Sequence, residues 1–321
     1  MRLLSLALAL TFAAPAVADV PCGGSFSSFV GKIKSEALSK GYDKATVDRF
    51  FASAQQTQSV LKADRAQGFF QKPFIDFSRA VISQNRIDNG RKHSQQYNAT
   101  FDRIARDYGV SRGVLLAFWA LETDFGQVQG NFNTRDALVT LAHDCRRPAL
   151  FRPQLLAAIT LAARGGLDPA RTTGAWAGEI GQVQMLPKDI LERGIDGDGD
   201  GRIDLKNSAP DALMSGANVL SSLGWAPNQP WLQEVTVPAD LNWTQTGLDH
   251  SKPVSEWAAL GVKPTSGALA TTLDASVLLP MGRNGPAFLA YPNFDVYFEW
   301  NKSFVYVTTA AYFAMRLSGA P

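Results

Sequence analysis

The chain has 321 residues, with 31 basic against 29 acidic side chains, a net charge of +2 and 45% apolar residues. That apolar content excludes a disordered chain and supports a large core, in one large domain or two moderate ones. Near-neutral charge, with no dense Lys/Arg run, argues against nucleic acid as a partner.

Arg2 precedes an apolar run from Leu3 to Phe12 that is too short to span a bilayer, and Ala16-Val17-Ala18 follows as a small-x-small cleavage site. Residues 1–18 read as a secretory signal cut after Ala18, leaving no transmembrane segment; an N-terminal membrane anchor is the competing reading. Pro21 before Cys22 does not fit a lipid-attachment site. Cys22 and Cys145 are the two cysteines, both in the exported part. An even count in an oxidising compartment favours one disulfide over two free thiols. His93, His143 and His250 show no zinc spacing.

In chain order, residues 25–66 read as helices, through Phe26, Phe29, Val30 and Ile33 and then Val47, Phe50 and Phe51. Residues 73–90 and 94–108 give two further amphipathic stretches. Ser111 is placed to cap a helix that runs to Glu122. Asp136 to His143 and Arg152 to Arg164 continue the helical reading, and Gly165-Gly166 ends it. Gly174 to Pro187 is punctuated by glycine and then helical. A helix from Asp211 to Leu223 stops at Gly224. Prolines and short apolar stretches dominate from Trp225 to Gly282. Asp295 to Thr308 alternates aromatic and polar residues, as extended chain does, before a last apolar helix through Tyr312 and Phe313. The class is mainly α (α+β), with a small β or irregular portion near the C-terminus.

Three stretches bear on chemistry. "GVLLAFWALETDFG" (Gly113–Gly126) is apolar from Val114 to Leu121 and ends in Glu122. A carboxyl at the end of a buried element loses solvation, its pKa rises, and it can act as a general acid near neutral pH. An ordinary helix-terminal Glu is the alternative. Asp124, two positions on, points away from Glu122 on a helix and is a poor second carboxylate. "GAWAGEIGQVQMLP" (Gly174–Pro187) combines small residues, which admit close backbone approach, with Trp176, Glu179 and the amides of Gln182 and Gln184, which suit sugar hydroxyl and acetamido groups. Tight packing without a ligand is the alternative.

The third stretch is "DGDGDGRIDLKNSAPDAL" (Asp196–Leu213). Asp196, Asp198 and Asp200 at alternate positions, Gly201 at the turn, the carbonyl of Arg202 and Asp204 follow the order of a Ca²⁺-binding loop. Position twelve is Asn207 rather than Glu, and Asp211 is the candidate to supply the missing carboxylate. The expected role is structural, against the alternative of a plain acidic turn.

"ALETDFG", "WAGEIGQVQMLP", "DGDGDGRIDL" and "PDALMSGANVLSSLGW", in that order, resemble the lytic murein transglycosylase B family (glycoside hydrolase family 103), from about Phe69 to about Leu317. The resemblance implies a lysozyme-like helical catalytic domain at about 69–225. Helices at 25–66 would precede it, and a β or irregular region plus helix at 226–321 would follow, the whole of 19–321 forming the catalytic region. It implies periplasmic peptidoglycan strands as substrate, one acid/base at Glu122, substrate contact by Gln184, and no cofactor for catalysis. "EWNKSFVY" resembles the family's Y-N-x-S-x-x-Y, so Asn301 and Tyr306 carry over as groove residues and Trp300 stands where Tyr is usual. Arg146 and Arg147 match an Arg-Arg pair near the groove. Ala175, Glu179 and the order Met185-Leu186 depart from the family pattern.

Two-carboxylate hydrolysis needs a partner ~5–5.5 or ~6.5–9.5 Å away, and Glu179 is the one candidate. The family route uses Glu122 twice instead, first as acid and then as base, to close a 1,6-anhydromuramoyl ring. Trp176, Trp300 and Tyr306 are candidate stacking walls for sugar rings. A water-using muramidase and a non-catalytic cell-wall glycan-binding protein are the other readings.

Overall fold

The computed structural model describes residues 20–66 and 72–318. The secretory signal expected at 1–18 lies outside the described residues, as does the expected start of the core near Phe69. Among the described residues no helix is long and apolar enough to cross a membrane.

Three short helices come first: α1 (Phe26–Ser39), α2 (Lys44–Phe51) and α3 (Gln58–Arg65). Ser25 and Asp43 cap α1 and α2 by accepting from the backbone N–H three residues on. The two expected stretches at 73–90 and 94–108 resolve into three helices, α4 (Phe74–Val81), α5 (Gln84–Gln96) and α6 (Asn98–Tyr108). The first break falls where Ser83 caps α5 through Arg86 N, a local signal that outweighs the apolar spacing across it. α7 (Arg112–Thr123) follows. Ser111 occupies its N-cap position, but no side-chain cap bond forms, and its hydroxyl pairs with Ser318 instead, at 3.1 Å. Next come β1 (Phe132–Asn133), α8 (Thr134–His143), α9 (Pro148–Ala163), β2 (Thr173–Gly174), α10 (Pro187–Arg193) and α11 (Ala209–Ser222).

The C-terminal part builds a five-stranded antiparallel sheet from β3 (Leu232–Thr236), β4 (Ser251–Pro253), β5 (Lys263–Pro264), β6 (Asp274–Leu278) and β7 (Ala287–Ala290), in the order β4-β6-β7-β3-β5. Pro253 and Pro264 lie on the two edge strands, where a missing N–H costs no ladder bond. β6 and β7 are buried on both faces. Phe288 and Ala290 join the large helical core, while Ala287 and Leu289 join a small core with Val254 and Trp257 of α12 (Val254–Ala259). This bears out the expected β portion.

The stretch from Asp295 to Thr308 is not extended. It forms α13 (Pro292–Trp300) and α14 (Phe304–Leu317), broken at Asn301–Ser303. Pro292 occupies the first turn of α13, and Ser303 caps α14 through Tyr306 N. Both helices are flanked by core on several faces, so aromatic residues occur all round them and their helical period is hidden.

Two apolar cores fill the helical body. One gathers α4 to α7, α11, α13 and α14. The other gathers α1, α2, α8, α9 and the 177–190 segment. Trp300 packs against both. Cys22 and Cys145 form a disulfide that ties the start of the described chain to the turn after α8.

Candidate active site

α7 is buried all round from Gly113 to Ala120, so its last turn emerges between the two cores. There Glu122 is partly exposed while its carboxyl sits among protein atoms. Tyr306 donates its hydroxyl to Glu122 Oε1 at 2.6 Å, and Trp300 donates Nε1–H to the same oxygen at 3.0 Å. The Trp300 ring stacks on Phe118, one turn back on α7, at 4.4 Å between centroids. Burial pushes the Glu122 carboxyl above the ordinary glutamate range, and the Tyr306 and Trp300 bonds offset only part of that rise. Both donors serve Oε1, so Oε2 is the oxygen left to handle a proton.

The end of α7 is fixed from several sides. Asp124 and Phe125 take left-handed backbone, with φ of 52° and 60°, a conformation that costs a non-glycine residue energy and needs surrounding support. Arg86 of α5 supplies some of it, with Nε 2.9 Å from Asp124 Oδ1. Asp124 therefore faces Arg86, as expected for a residue unfit to be the second carboxylate. Thr123 is buried and donates Oγ1–H to the carbonyl of Gln182 at 2.6 Å, and it accepts from Gly126 N.

That Thr123 bond fastens α7 to the 174–187 segment. This segment stays non-helical until Pro187 begins α10. Ala175 N bonds Glu179 O at 3.0 Å, and Ile180 and Met185 pair through both backbone bonds. A Cβ on Gly174 would fall 1.8 Å from Glu179 O, so only glycine fits there. Gln184 has φ of 53° and spends its amide nitrogen on the carbonyls of Gly181 (2.8 Å) and Gln129 (3.4 Å), while remaining partly exposed. Gln182 is buried, with its amide directed to Lys206 O. Its observed contacts are structural.

Glu179 is partly buried, and its Oε2 has neither solvent nor a hydrogen-bond partner. Burial raises its carboxyl to about 7. Repulsion from Glu122 adds to the rise, and the backbone amides of Glu179 and Ala177 and the charge of Arg147 oppose it. Arg147 itself pairs with buried Asp64 of α3, and its guanidinium lies 5.9 Å from the Trp176 ring centre. Arg146 pairs with the other oxygen of Asp64 at 2.8 Å. Asn301 accepts from Ser303 N at 2.9 Å in the break between α13 and α14.

Glu122, Trp300 and Tyr306 are thus brought together across some 180 residues of sequence. Glu179, Arg147 and Trp176 form a neighbouring wall. Three supports had no advance signal: Thr123 as a clamp, the Arg86–Asp124 pair, and Asp64 beneath both arginines. Each depends on a long-range contact that local spacing does not encode.

The acidic loop lies apart, between α10 and α11. Asp196, Asp198 and buried Asp211 each bring a carboxylate oxygen within 4.8 Å of the other two. Asp196 accepts from Gly199, Asp200 and Gly201 N–H, and Asp211 from Gly197, Asp198 and Asp204 N–H. Asp200 and Asp204 turn their carboxylates to loop groups: Asp200 to Arg202 N, and Asp204 to Lys206 N and Asn207. Neither of them joins the three-carboxylate cluster.

Residues 25–315 match the model of the transglycosylase SLT domain family. The sequence is similar to the membrane-bound lytic murein transglycosylase B of Escherichia coli (strain K12), 26% identical over 300 residues, covering 88% of this chain and 81% of that protein. SltB3 of Pseudomonas aeruginosa, solved in complex with NAG-anhNAM-pentapeptide, has 34% identity and a TM-score of 0.86, covering 92% of this chain and 80% of SltB3. The fold is shared with the Escherichia coli lytic transglycosylase Slt35, solved in complex with calcium. That match has 24% identity and a TM-score of 0.79, covering 96% of this chain and 98% of Slt35.

Proposed function

Because this chain belongs to the transglycosylase SLT domain family, we propose that it cleaves peptidoglycan as a lytic transglycosylase with Glu122 as its single acid and base. The observation that carries the assignment is the carboxyl of Glu122 at the junction of two cores, raised by burial and gripped through one oxygen by Tyr306 and Trp300. A raised carboxyl holds its proton toward neutral pH, which a general acid requires.

In this reading Oε2 of Glu122 gives its proton to the glycosidic oxygen between N-acetylmuramic acid and N-acetylglucosamine. The bond from C1 to that oxygen breaks, and the substrate's acetamido group stabilises the cationic centre. The carboxylate then takes the proton of the muramoyl C6 hydroxyl, whose oxygen closes on C1 as the 1,6-anhydro ring. The proton lost in the first half returns in the second. Tyr306 and Trp300 stabilise the carboxylate between the two halves, since both donate to its charged form. The apolar floor around α7 limits water, which would compete with the C6 hydroxyl. Gln184, Asn301, Trp176, Arg146 and Arg147 remain candidates to hold the glycan, and Gln182 to hold the wall behind it.

We read residues 19–321 as one catalytic region, exported to the periplasm after cleavage behind Ala18. At the acidic loop, Asp196, Asp198 and Asp211 would hold Ca²⁺, a hard cation suited to clustered carboxylate oxygens. Its role there would be to neutralise three like charges and fasten the loop to α11, with no part in the reaction.

Glu122→Gln tests the assignment. Turnover of purified peptidoglycan should fall by about 10²–10⁴-fold or more, with the variant folded and still binding glycan. Near-normal turnover would refute the acid assignment.

A further inference from the structure

The segment from Thr173 to Gln184 carries Trp176 and Gln184, two of the candidate glycan contacts, yet it holds no helix or strand between β2 and α10. Its position therefore depends on hydrogen bonds to neighbouring chain. Several of them converge on Lys206, just beyond the acidic loop. The Lys206 carbonyl accepts from Gln129 Nε2 at 2.9 Å and from Gln182 Nε2 at 3.3 Å, and its ammonium donates to Thr173 O at 2.6 Å. One position earlier, Leu205 O accepts from Gln182 N at 2.8 Å. A Cβ on Gly181 would fall 2.6 Å from that same oxygen, so the two segments meet backbone to backbone. Gln129 carries the link further: its Nε2 also donates to Gly126 O at 2.9 Å, and its own carbonyl accepts from Gln184 Nε2 at 3.4 Å. Lys206 thus joins the turn after α7, β2 and the bend at Gln182. Behind it, Asp211 Oδ2 accepts from Asp204 N at 2.7 Å and Asp204 Oδ1 from Lys206 N at 3.1 Å, which anchors the junction to α11. Any residue could offer the carbonyl. The bond to Thr173 needs a long side chain that ends in a donor, and a partly buried ammonium is tolerated where an acceptor meets it.

We propose that Lys206 is a positioning residue: its ammonium latches the Thr173–Gln184 wall to the chain before α11 and so sets how tightly the site holds glycan. The proposal rests on that wall being a glycan-binding face. Glu122 is gripped by Trp300 and Tyr306, which lie outside this network, so loosening the latch leaves the chemical step in place. The bond from Thr123 Oγ1 to Gln182 O also survives, and the wall loosens without coming away from α7.

The test compares the wild type with Lys206→Met, which keeps the stem and deletes the donor, and with Lys206→Arg, which restores a cationic donor. Three quantities are read: KM and kcat on soluble, uncrosslinked glycan strands; Kd for the same strands with each variant placed in Glu122→Gln; and amide hydrogen exchange at Gln182 and Gln184, whose N–H groups bond Leu205 O and Gly181 O. Lys206→Met should raise KM and Kd by about three- to tenfold, leave kcat within about twofold, and speed exchange at both amides by about tenfold. Lys206→Arg should restore all three. Wild-type KM and exchange in Lys206→Met would overturn the proposal, and so would a fall in kcat with KM unchanged or a loss that Lys206→Arg does not restore. Faster exchange with unchanged Kd would overturn it through its premise, because the wall would then not hold glycan. A wild type that releases no product would refute the lytic reading, while Kd and exchange would still decide for or against the latch.

Discussion

At the residue scale, the site stores a cost in Glu122. Its folded carboxyl is raised by burial above the value it has in an unfolded chain. Below the unfolded pKa both states hold the proton and no penalty exists. As pH rises, the unfolded chain ionises first, so stability falls until the folded carboxyl also ionises, and above that the penalty is constant. Glu122→Gln removes the penalty. Its melting temperature should therefore exceed that of the wild type by a few °C at pH 8, with a smaller difference at pH 4. An equal difference at both pH values would show that the carboxyl is not strained. Glu122 was legible in the sequence because a buried run that ends in an acid is a local pattern. Its partners Trp300 and Tyr306 lie 178 and 184 positions away, and only the family resemblance pointed to them. Gln182 shows the limit of that reasoning. Its side chain suits sugars, yet the fold directs its amide nitrogen to Lys206 O, because an amide's task is set by the backbone beside it.

At the element scale, the pairing of α7 with α14 sets the distance from Glu122 to Tyr306. The helices are tightly packed at Gly113, where a Cβ would fall 2.5 Å from the carbonyl oxygen of Ala314 and 2.0 Å from Ser318 Oγ. Alanine has the better helix propensity by roughly 1 kcal/mol, but relieving a backbone overlap in a packed core costs about 1–3 kcal/mol. Gly113→Ala should lower the melting temperature and also reduce kcat, since α14 must shift and carries Tyr306 with it. A variant as stable and as active as the wild type would mean that the crossing is looser than the geometry implies. The N-terminal helices were readable from apolar spacing, because each has one solvent face. α13 and α14 were not. With Phe294, Tyr297, Val307 and Phe313 buried beside partly buried Phe298 and Trp300, apolar side chains line several faces and alternation mimics a strand.

At the scale of the whole molecule, the site exists because two cores meet there and Trp300 packs against both. The Cys22–Cys145 bridge, expected from the even cysteine count, closes a separation of 123 residues, and such a closure restricts the unfolded chain strongly. How the cores meet was not readable locally, since it depends on contacts between the middle and last thirds of the chain, α7 against α14 above all. The acidic loop ties α10 to α11 within this body. Adding Ca²⁺ to metal-free protein should raise the melting temperature and leave kcat at saturating substrate within about twofold, as stabilisation by a bound ligand requires. No shift with Ca²⁺ or chelator would refute a structural cation there. Use of one carboxyl twice by this lytic transglycosylase is tested most directly by the mass of its products. Muropeptides released from purified peptidoglycan by the mature protein should be one water lighter than their hydrolytic counterparts and should be absent with Glu122→Gln. Products with reducing ends, or turnover that survives Glu122→Gln, would contradict it.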